Sequence, residues 1–294
     1  MALLTWTQSY FKTHGVESPR LDAEILLAHI LECRRIDLYL RYDQPLNSQE
    51  LGRYKVLIRR RARREPVAYI LGRKEFWSRD FRVSPGVLIP RPETEALVQG
   101  GLEVLDRVDP AIPARVLELG TGSGAVIISL AVERPGQHYV ALDRSLPALA
   151  VALKNARTHL APQNIRFFCG DWLQALNPQQ APYDLILANP PYISHGQLAE
   201  LQAEISAYEP RQALDGGPDG LDALRRIVHS APPLLAPGRW LLLEIGHDQA
   251  PAITDMIEAH EQYEPVEWIN DLAGHRRVAR IRKKNLRQGA RFVT

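Results

Sequence analysis

Apolar positions in LDAEILLAHILECRRIDLYLRY recur at intervals of three and four, and SQELGRYKVLIRRRARREP continues that period. Residues 1–75 are therefore expected to form several short helices packed as a small bundle. Ser18 or Asp22 is placed to cap a helix at SPRLDAEI, and Pro66 ends another. In FWSRDFRVSPGVLIP, residues 76–90, large and polar side chains alternate around the turn-forming Ser84-Pro85-Gly86, which predicts a β-hairpin linker. RPETEALV then opens a helix, with Pro92 near its start and Glu93 and Glu95 in the first turn, where the helix dipole favours negative charge.

From residue 115 the pattern changes to apolar strands alternating with helices: RVLEL, GAVIISLAVE, HYVALD, LPALAVALKNARTHL, IRFFC, YDLILA, GLDALRRIVHSAPPLL, RWLLLEI, ITDMIEAH and RRVARIRK. That rhythm predicts an α/β fold, a mostly parallel sheet with helices on both faces, filling a third segment, 91–294.

Composition narrows the class. Of 294 residues, 45% are hydrophobic and 24% charged, as in an ordinary globular protein. No apolar stretch approaches the roughly 18 residues of a membrane span, and MALLTWTQSYFKTHGVESPR lacks the features of a signal peptide, so the expectation is a cytoplasmic protein, and nothing in the sequence suggests more than a monomer. Cys33 and Cys169 have no CxxC companion, which argues against a metal cluster or disulfide framework and for two buried small residues. Charge is unevenly spread. Residues 1–75 hold 14 Lys+Arg against 9 Asp+Glu and residues 281–294 hold five basic residues and no acidic one, leaving the middle at −8. An acidic middle is a poor partner for nucleic acid, whereas the basic ends suit an acidic protein. Residues 59–64, RRRARR, read as a solvated helix face or as a docking surface for such a partner.

Candidate chemistry lies at the strand ends. The strand 115–119 runs into Gly120-Thr121-Gly122-Ser123-Gly124, where a nucleotide-like ligand sits at the carboxyl end of a first strand. With Ala125 the loop also satisfies G-x-G-x-x-G/A, so an NAD-dependent oxidoreductase is a rival reading. Asp143 ends the next strand and is placed to accept from both hydroxyls of an adenosine ribose. After the third strand, Asp171 suits an exocyclic amine and Trp172 a ring face.

At the end of YDLILA the chain reads Asn189-Pro190-Pro191-Tyr192. Prolines end the strand and stiffen the turn. The Asn189 side-chain oxygen and the Pro190 carbonyl offer two acceptors for one planar NH2 group, against which Tyr192 can lie. Such a nitrogen is a poor nucleophile, and acceptors placed where its charge develops stabilise the transition state of a methyl transfer.

In order, GTGSG, VALD, GDW and NPPYI resemble a class I S-adenosylmethionine-dependent methyltransferase of the amide- and amine-directed kind. SPRLDAEILLAH, EPVAYILGRKEFW, LIPRPETE and YEPRQALDGGPDGL further resemble the glutamine N5-methyltransferases of peptide-chain release factors, the PrmC/HemK family, over about residues 18–280. The resemblance implies a helical domain that binds the release factor, a hairpin linker and a seven-stranded Rossmann-like methyltransferase domain. It implies methyl transfer to the glutamine of the Gly-Gly-Gln motif in class 1 release factors. Gly120, Thr121, Gly122, Ser123, Gly124, Asp143, Asp171, Trp172 and Asn189 would then hold S-adenosylmethionine. Asn189, Pro190, Pro191 and Tyr192 would hold the glutamine, with Asn189, Pro190 and Tyr192 catalytic and no metal involved. Glu118 fits the acidic position before the loop.

Residues 194–219 are too long for a plain connection and are expected to cover the site, with Arg91, Glu93 and Thr94 walling the opposite side. An ion pair with Glu209 is the alternative use of Arg211. The rival with the same chemistry is an adenine-N6 nucleic-acid methyltransferase, disfavoured by the acidic middle. A protein that binds without catalysing is disfavoured by the intact Asn189, Asp143 and GTGSG.

Overall fold

The computed structural model describes residues 2–40, 44–109, 111–159, 165–179 and 182–285. The chain forms two compact units: Met1–Arg73 with Val83–Pro85 and Leu201–Glu209, and Lys74–Arg82 with Gly86–Glu200 and Pro210–Thr294. The basic tail beyond residue 285 lies outside the described residues.

The first unit opens with α1 (Ala2–Thr13), α2 (Pro19–Ile30), α3 (Asp37–Leu40), α4 (Ser48–Ala62) and α5 (Val67–Leu71). Pro19 begins α2 with Ser18 at its N-cap, though the Ser18 side chain makes no capping bond. A capping box starts α4: Asn47 Oδ1 accepts from the Glu50 N–H and Glu50 Oε2 from the Asn47 N–H, each at 2.9 Å. The apolar stripe of each helix meets in a core around Phe11, Leu26 and Tyr54, all fully buried.

A two-stranded sheet follows, β1 (Arg73–Phe76) and β2 (Arg79–Arg82). Its turn is Trp77-Ser78, with φ of 49° and 56°, and not the expected Ser84-Pro85-Gly86. Positive φ at both central residues gives the backbone twist a two-residue hairpin needs, and Trp77, which does not favour it, is held by its backbone N–H on Glu95 at 2.9 Å and its indole N–H on Glu133 at 3.2 Å.

The second unit continues with α6 (Glu95–Leu105), β3 (Arg115–Leu119), α7 (Ala125–Glu133), β4 (His138–Asp143), α8 (Leu146–His159), β5 (Ile165–Cys169), β6 (Tyr183–Ala188) and α9 (His195–Leu198). After α10 (Ala203–Tyr208), which belongs to the first unit, come α11 (Asp222–Ser230), β7 (Leu235–Glu244), α12 (Ala250–Glu258), β8 (Glu267–Asn270) and β9 (Arg276–Arg282). The seven-stranded sheet runs β5-β4-β3-β6-β7-β9-β8, parallel except for the antiparallel β9 pairings. β8 escaped the sequence pattern because it is a short, half-exposed edge strand. In β6, Leu185 and Leu187 enter one buried cluster while Ile186 and Ala188 enter the other, and Leu242 alternates with Leu241 and Leu243 in β7. Both faces are thus covered, which is why these strands read as unbroken apolar runs.

Two expectations are corrected. Cys169 is exposed and Cys33 half-buried, because Cys169 ends the edge strand β5. The RRRARR run is not simply a solvated face: Arg59 and Arg63 are exposed, but Arg61 is 6% exposed and bonds Asp22 on α2 at 2.7 Å and Glu204 on α10 at 2.9 Å. Arg64 also pairs with Glu204, and Arg60 with Glu65. The helix turns half of the run inward, and carboxylates compensate its buried charge.

Candidate functional site

β3 lies between β4 and β6, so the chain leaves the sheet on opposite sides at this point and opens a crevice at the strand ends. Leu119 and Ala188 are in register, which brings Gly120 and Asn189 out of the sheet side by side. Gly120, Gly122 and Gly124 all have positive φ. At Gly124 (φ +80°) a Cβ would be strained by the left-handed backbone and would also lie 2.8 Å from Ile128 Cδ1, which favours glycine there. Beneath the loop, the Thr121 N–H donates to the Leu142 carbonyl at 3.0 Å, and the Thr121 hydroxyl donates to Glu118. Buried Asn155 on α8 bonds the Ser123 carbonyl at 2.8 Å and both backbone groups of Arg82. Burial pushes the Glu118 carboxyl up to about 8, and the Asp143 charge adds to this against the Thr121 hydrogen bond.

A cavity of about 580 Å³ lies over the loop, lined by Gly120, Gly122, Asp143, Asp171, Trp172, Asn189, Pro191 and residues 86–88, among others. Asp143 accepts the Gly122 N–H on Oδ2 at 2.9 Å and the Ser145 N–H on Oδ1 at 2.8 Å, so each oxygen keeps a further lone pair. Asp171 Oδ2 is bonded by Arg226 at 2.9 Å, whereas its buried Oδ1 has no hydrogen-bond partner among the described residues. A Cβ on Gly122 would meet nothing within 4 Å, and one on Gly120 would face the Trp172 ring at 3.6 Å. The donor set fits an adenosine: an open glycine cradle, a carboxylate with spare acceptors, an unpaired acceptor and an indole face.

The turn after β6 is braced from three sides. Asn189 Nδ2 donates to Thr94 Oγ1 at 3.1 Å, and Asn189 Oδ1 has no hydrogen-bond partner among the described residues. Tyr192 is half-buried, with its hydroxyl 3.5 Å from Glu244 Oε1. Burial raises the Tyr192 phenol, and the Glu244 charge reinforces it. Gln249 Nε2 donates to the carbonyls of Tyr192 at 3.0 Å and Gly220 at 3.1 Å, while its Oε1 accepts from the Gly246 N–H at 2.9 Å. Gly220 approaches so closely that a Cβ would lie 2.4 Å from the Tyr192 carbonyl oxygen. The Ile193 N–H bonds the Leu214 carbonyl and the Gly216 N–H bonds the Ile193 carbonyl, which ties the DGGPDG segment to the turn.

Of the residues singled out in the sequence, Gly120, Gly122, Asp143, Asp171, Trp172, Asn189 and Pro191 line one cavity. Thr121, Ser123 and Gly124 are not among the residues that line it, and Thr121 and Ser123 are buried. Pro190 is buried, and Tyr192 packs against the core beside Glu244. The 194–219 stretch carries helical turns, and residues from 210 to 217 within it line the cavity. Arg211 is ion-paired with Asp215 at 3.3 Å. Gln249 and Arg226 gave no local signal, because their partners are distant in sequence. Glu244 did give one, as an acid closing the apolar strand RWLLLE.

The family model for the PrmC N-terminal domain matches residues 2–72, and that for the methyltransferase small domain matches residues 97–217. A release factor glutamine methyltransferase of Geobacter sulfurreducens is 45% identical over 254 residues, 86% of either chain. One from Rhodopirellula baltica is 38% identical over 287 residues, 96% of either chain. Among solved structures, a human methyltransferase 10 domain containing protein shares the fold, with TM-score 0.51 and 16% identity over 71% of this chain and 89% of that one. Identity of this level along nearly the whole length, in a chain folded as a seven-stranded methyltransferase, makes it a member of the release factor glutamine methyltransferase family.

Proposed function

We propose that this chain transfers a methyl group from S-adenosylmethionine to the side-chain amide nitrogen (N5) of the glutamine in the Gly-Gly-Gln motif of class 1 peptide-chain release factors, acting as a cytoplasmic monomer. The names carried by its relatives support the substrate, and Asn189 carries the chemistry. Its Nδ2 is engaged by Thr94, so its Oδ1 is the end left for a ligand beside the cavity.

Gly120, Gly122, Asp143, Asp171 and Trp172 would hold the cofactor, with the unpaired Asp171 Oδ1 suited to its exocyclic amine. When bound, S-adenosylmethionine supplies an electrophilic methyl on a sulfonium. The protein's part is to seat the amide nitrogen. Asn189 Oδ1 and the Pro190 carbonyl accept hydrogen bonds from its two N–H groups, the rigid Pro-Pro turn keeps them in place as the nitrogen rehybridises, and one of the two protons is lost to solvent after the methyl has transferred. The ring of Tyr192 flanks the amide plane. Residues 1–75 would dock the release factor.

The test is incubation with S-adenosylmethionine and a full-length release factor, beside DNA and RNA, with any added methyl mapped by peptide mass spectrometry. One methyl on the Gly-Gly-Gln glutamine is expected. Methyl on nucleic acid alone would overturn the assignment.

A further inference from the structure

Asn155 sits inside α8 with no exposed surface. Asparagine is a weak helix former, and a buried amide costs stability unless its donors and acceptor are paired, so its presence here calls for a reason. The pairing is complete. Oδ1 accepts from the Arg82 N–H at 2.8 Å, and Nδ2 donates to the Arg82 carbonyl at 3.1 Å and to the Ser123 carbonyl at 2.8 Å. A backbone N–H can only donate and a carbonyl can only accept, so these three bonds allow the amide one orientation.

The bonds join two backbone segments. Arg82 ends β2, an edge of the two-stranded sheet. Asn155 offers Arg82 the donor and acceptor that a further strand would supply, and His159, one turn on, bonds the Asp80 carbonyl through Nε2 at 2.9 Å. On the other side, Ser123 follows Gly122 in the glycine loop. A Cβ on Gly124 would lie 3.2 Å from that of Ala152, one turn before Asn155, so α8 packs directly against the loop. Gly86, Val87 and Leu88, which the chain reaches soon after Arg82, line the same cavity as Gly120 and Gly122. One buried amide thus ties the cradle to the strand that leads into another part of the cavity wall.

We propose that Asn155 is a positioning residue for the cofactor, holding the glycine loop at a fixed distance from β2 so that the cradle is formed before S-adenosylmethionine arrives; the inference rests on the cofactor reading above. A loop that must be ordered on binding costs affinity, whereas one already held does not. Neither a carboxylate, which has no donor, nor an apolar side chain can make the three bonds.

The test compares Asn155→Ala and Asn155→Asp with the parent protein and with Tyr139→Phe. Asn155→Asp keeps the side-chain size and an acceptor for the Arg82 N–H but has no donor for the two carbonyls. Tyr139→Phe removes a buried hydroxyl from the Leu130 and Arg134 carbonyls, near the start of β4, and controls for a general loss of stability, which urea unfolding follows in all three. Calorimetric binding of S-adenosylmethionine is measured, together with hydrogen exchange of the Gly122 and Gly124 N–H groups in the cofactor-free protein. Both Asn155 variants should bind about tenfold more weakly and exchange these protons about tenfold faster, while Tyr139→Phe stays within about twofold in each. Parent-like affinity in both Asn155 variants would overturn the inference, as would an equal fall in Tyr139→Phe, which would make the effect one of stability alone. If the parent protein binds no S-adenosylmethionine, the cofactor reading fails, and hydrogen exchange alone still decides whether Asn155 holds the loop.

Discussion

Gln249 Nε2 donates to the Tyr192 carbonyl at 3.0 Å, although 57 positions separate the two residues. The same nitrogen reaches the Gly220 carbonyl, so one side chain 8% exposed clamps the Asn-Pro-Pro-Tyr turn to the glycine-rich segment that closes over it. Replacing Gln249 with Leu keeps the volume but leaves two carbonyls and the Gly246 N–H unpaired. The expected loss is about 1–3 kcal/mol of stability in urea unfolding, with a slower methyl transfer and little change in cofactor affinity. A variant with full turnover would show that the turn holds itself.

Asn189→Ala removes the acceptor at the turn and should leave the fold intact. A fall of about a hundredfold to a thousandfold in kcat is expected, the scale seen when a preorganised group facing developing charge is lost. Unchanged turnover under single-turnover conditions would sink the proposed role.

Asp143→Ala deletes both spare acceptors and strands the Gly122 and Ser145 N–H groups. Calorimetry with S-adenosylmethionine should register a loss of about 2 kcal/mol or more, roughly thirtyfold in affinity. Equal affinity would mean that the ribose lies elsewhere.

Burial raises Glu118 from 4.5 to about 8. The folded chain then holds a proton that the unfolded chain has released, so this group's contribution to stability is greatest below pH 4.5 and is lost as pH rises to about 8. In the cofactor-free protein, Glu118→Gln should therefore gain stability relative to the parent as pH rises through that window. Thermal unfolding curves that stay parallel across it would refute the shift.

Arg61→Met would leave the Asp22 and Glu204 carboxylates without their buried partner. Burial already pushes Asp22 above its ordinary value. A loss of about 3–5 kcal/mol is expected in denaturant unfolding of the helical unit. A change within error would place these charges in water.

The linear chain by itself marked most of the elements and much of the candidate site. Apolar periodicity marks helices and strands because each must bury one stripe or face, and Gly120 to Gly124, Asp143, Asp171 and Asn189 are legible because a ligand crevice forms at strand ends. Tertiary structure alone decided what pairs with what. Trp77 and Ser78 form a turn for which they carry no local preference, and Arg61 is buried in a run that reads as solvent-facing. Thr94, Gln249 and Glu244 hold the turn across gaps of 95, 57 and 52 positions. Periodicity reports which side of an element is buried, but a hydrogen bond between distant segments has no period. Only the packing of those segments brings donor and acceptor within reach.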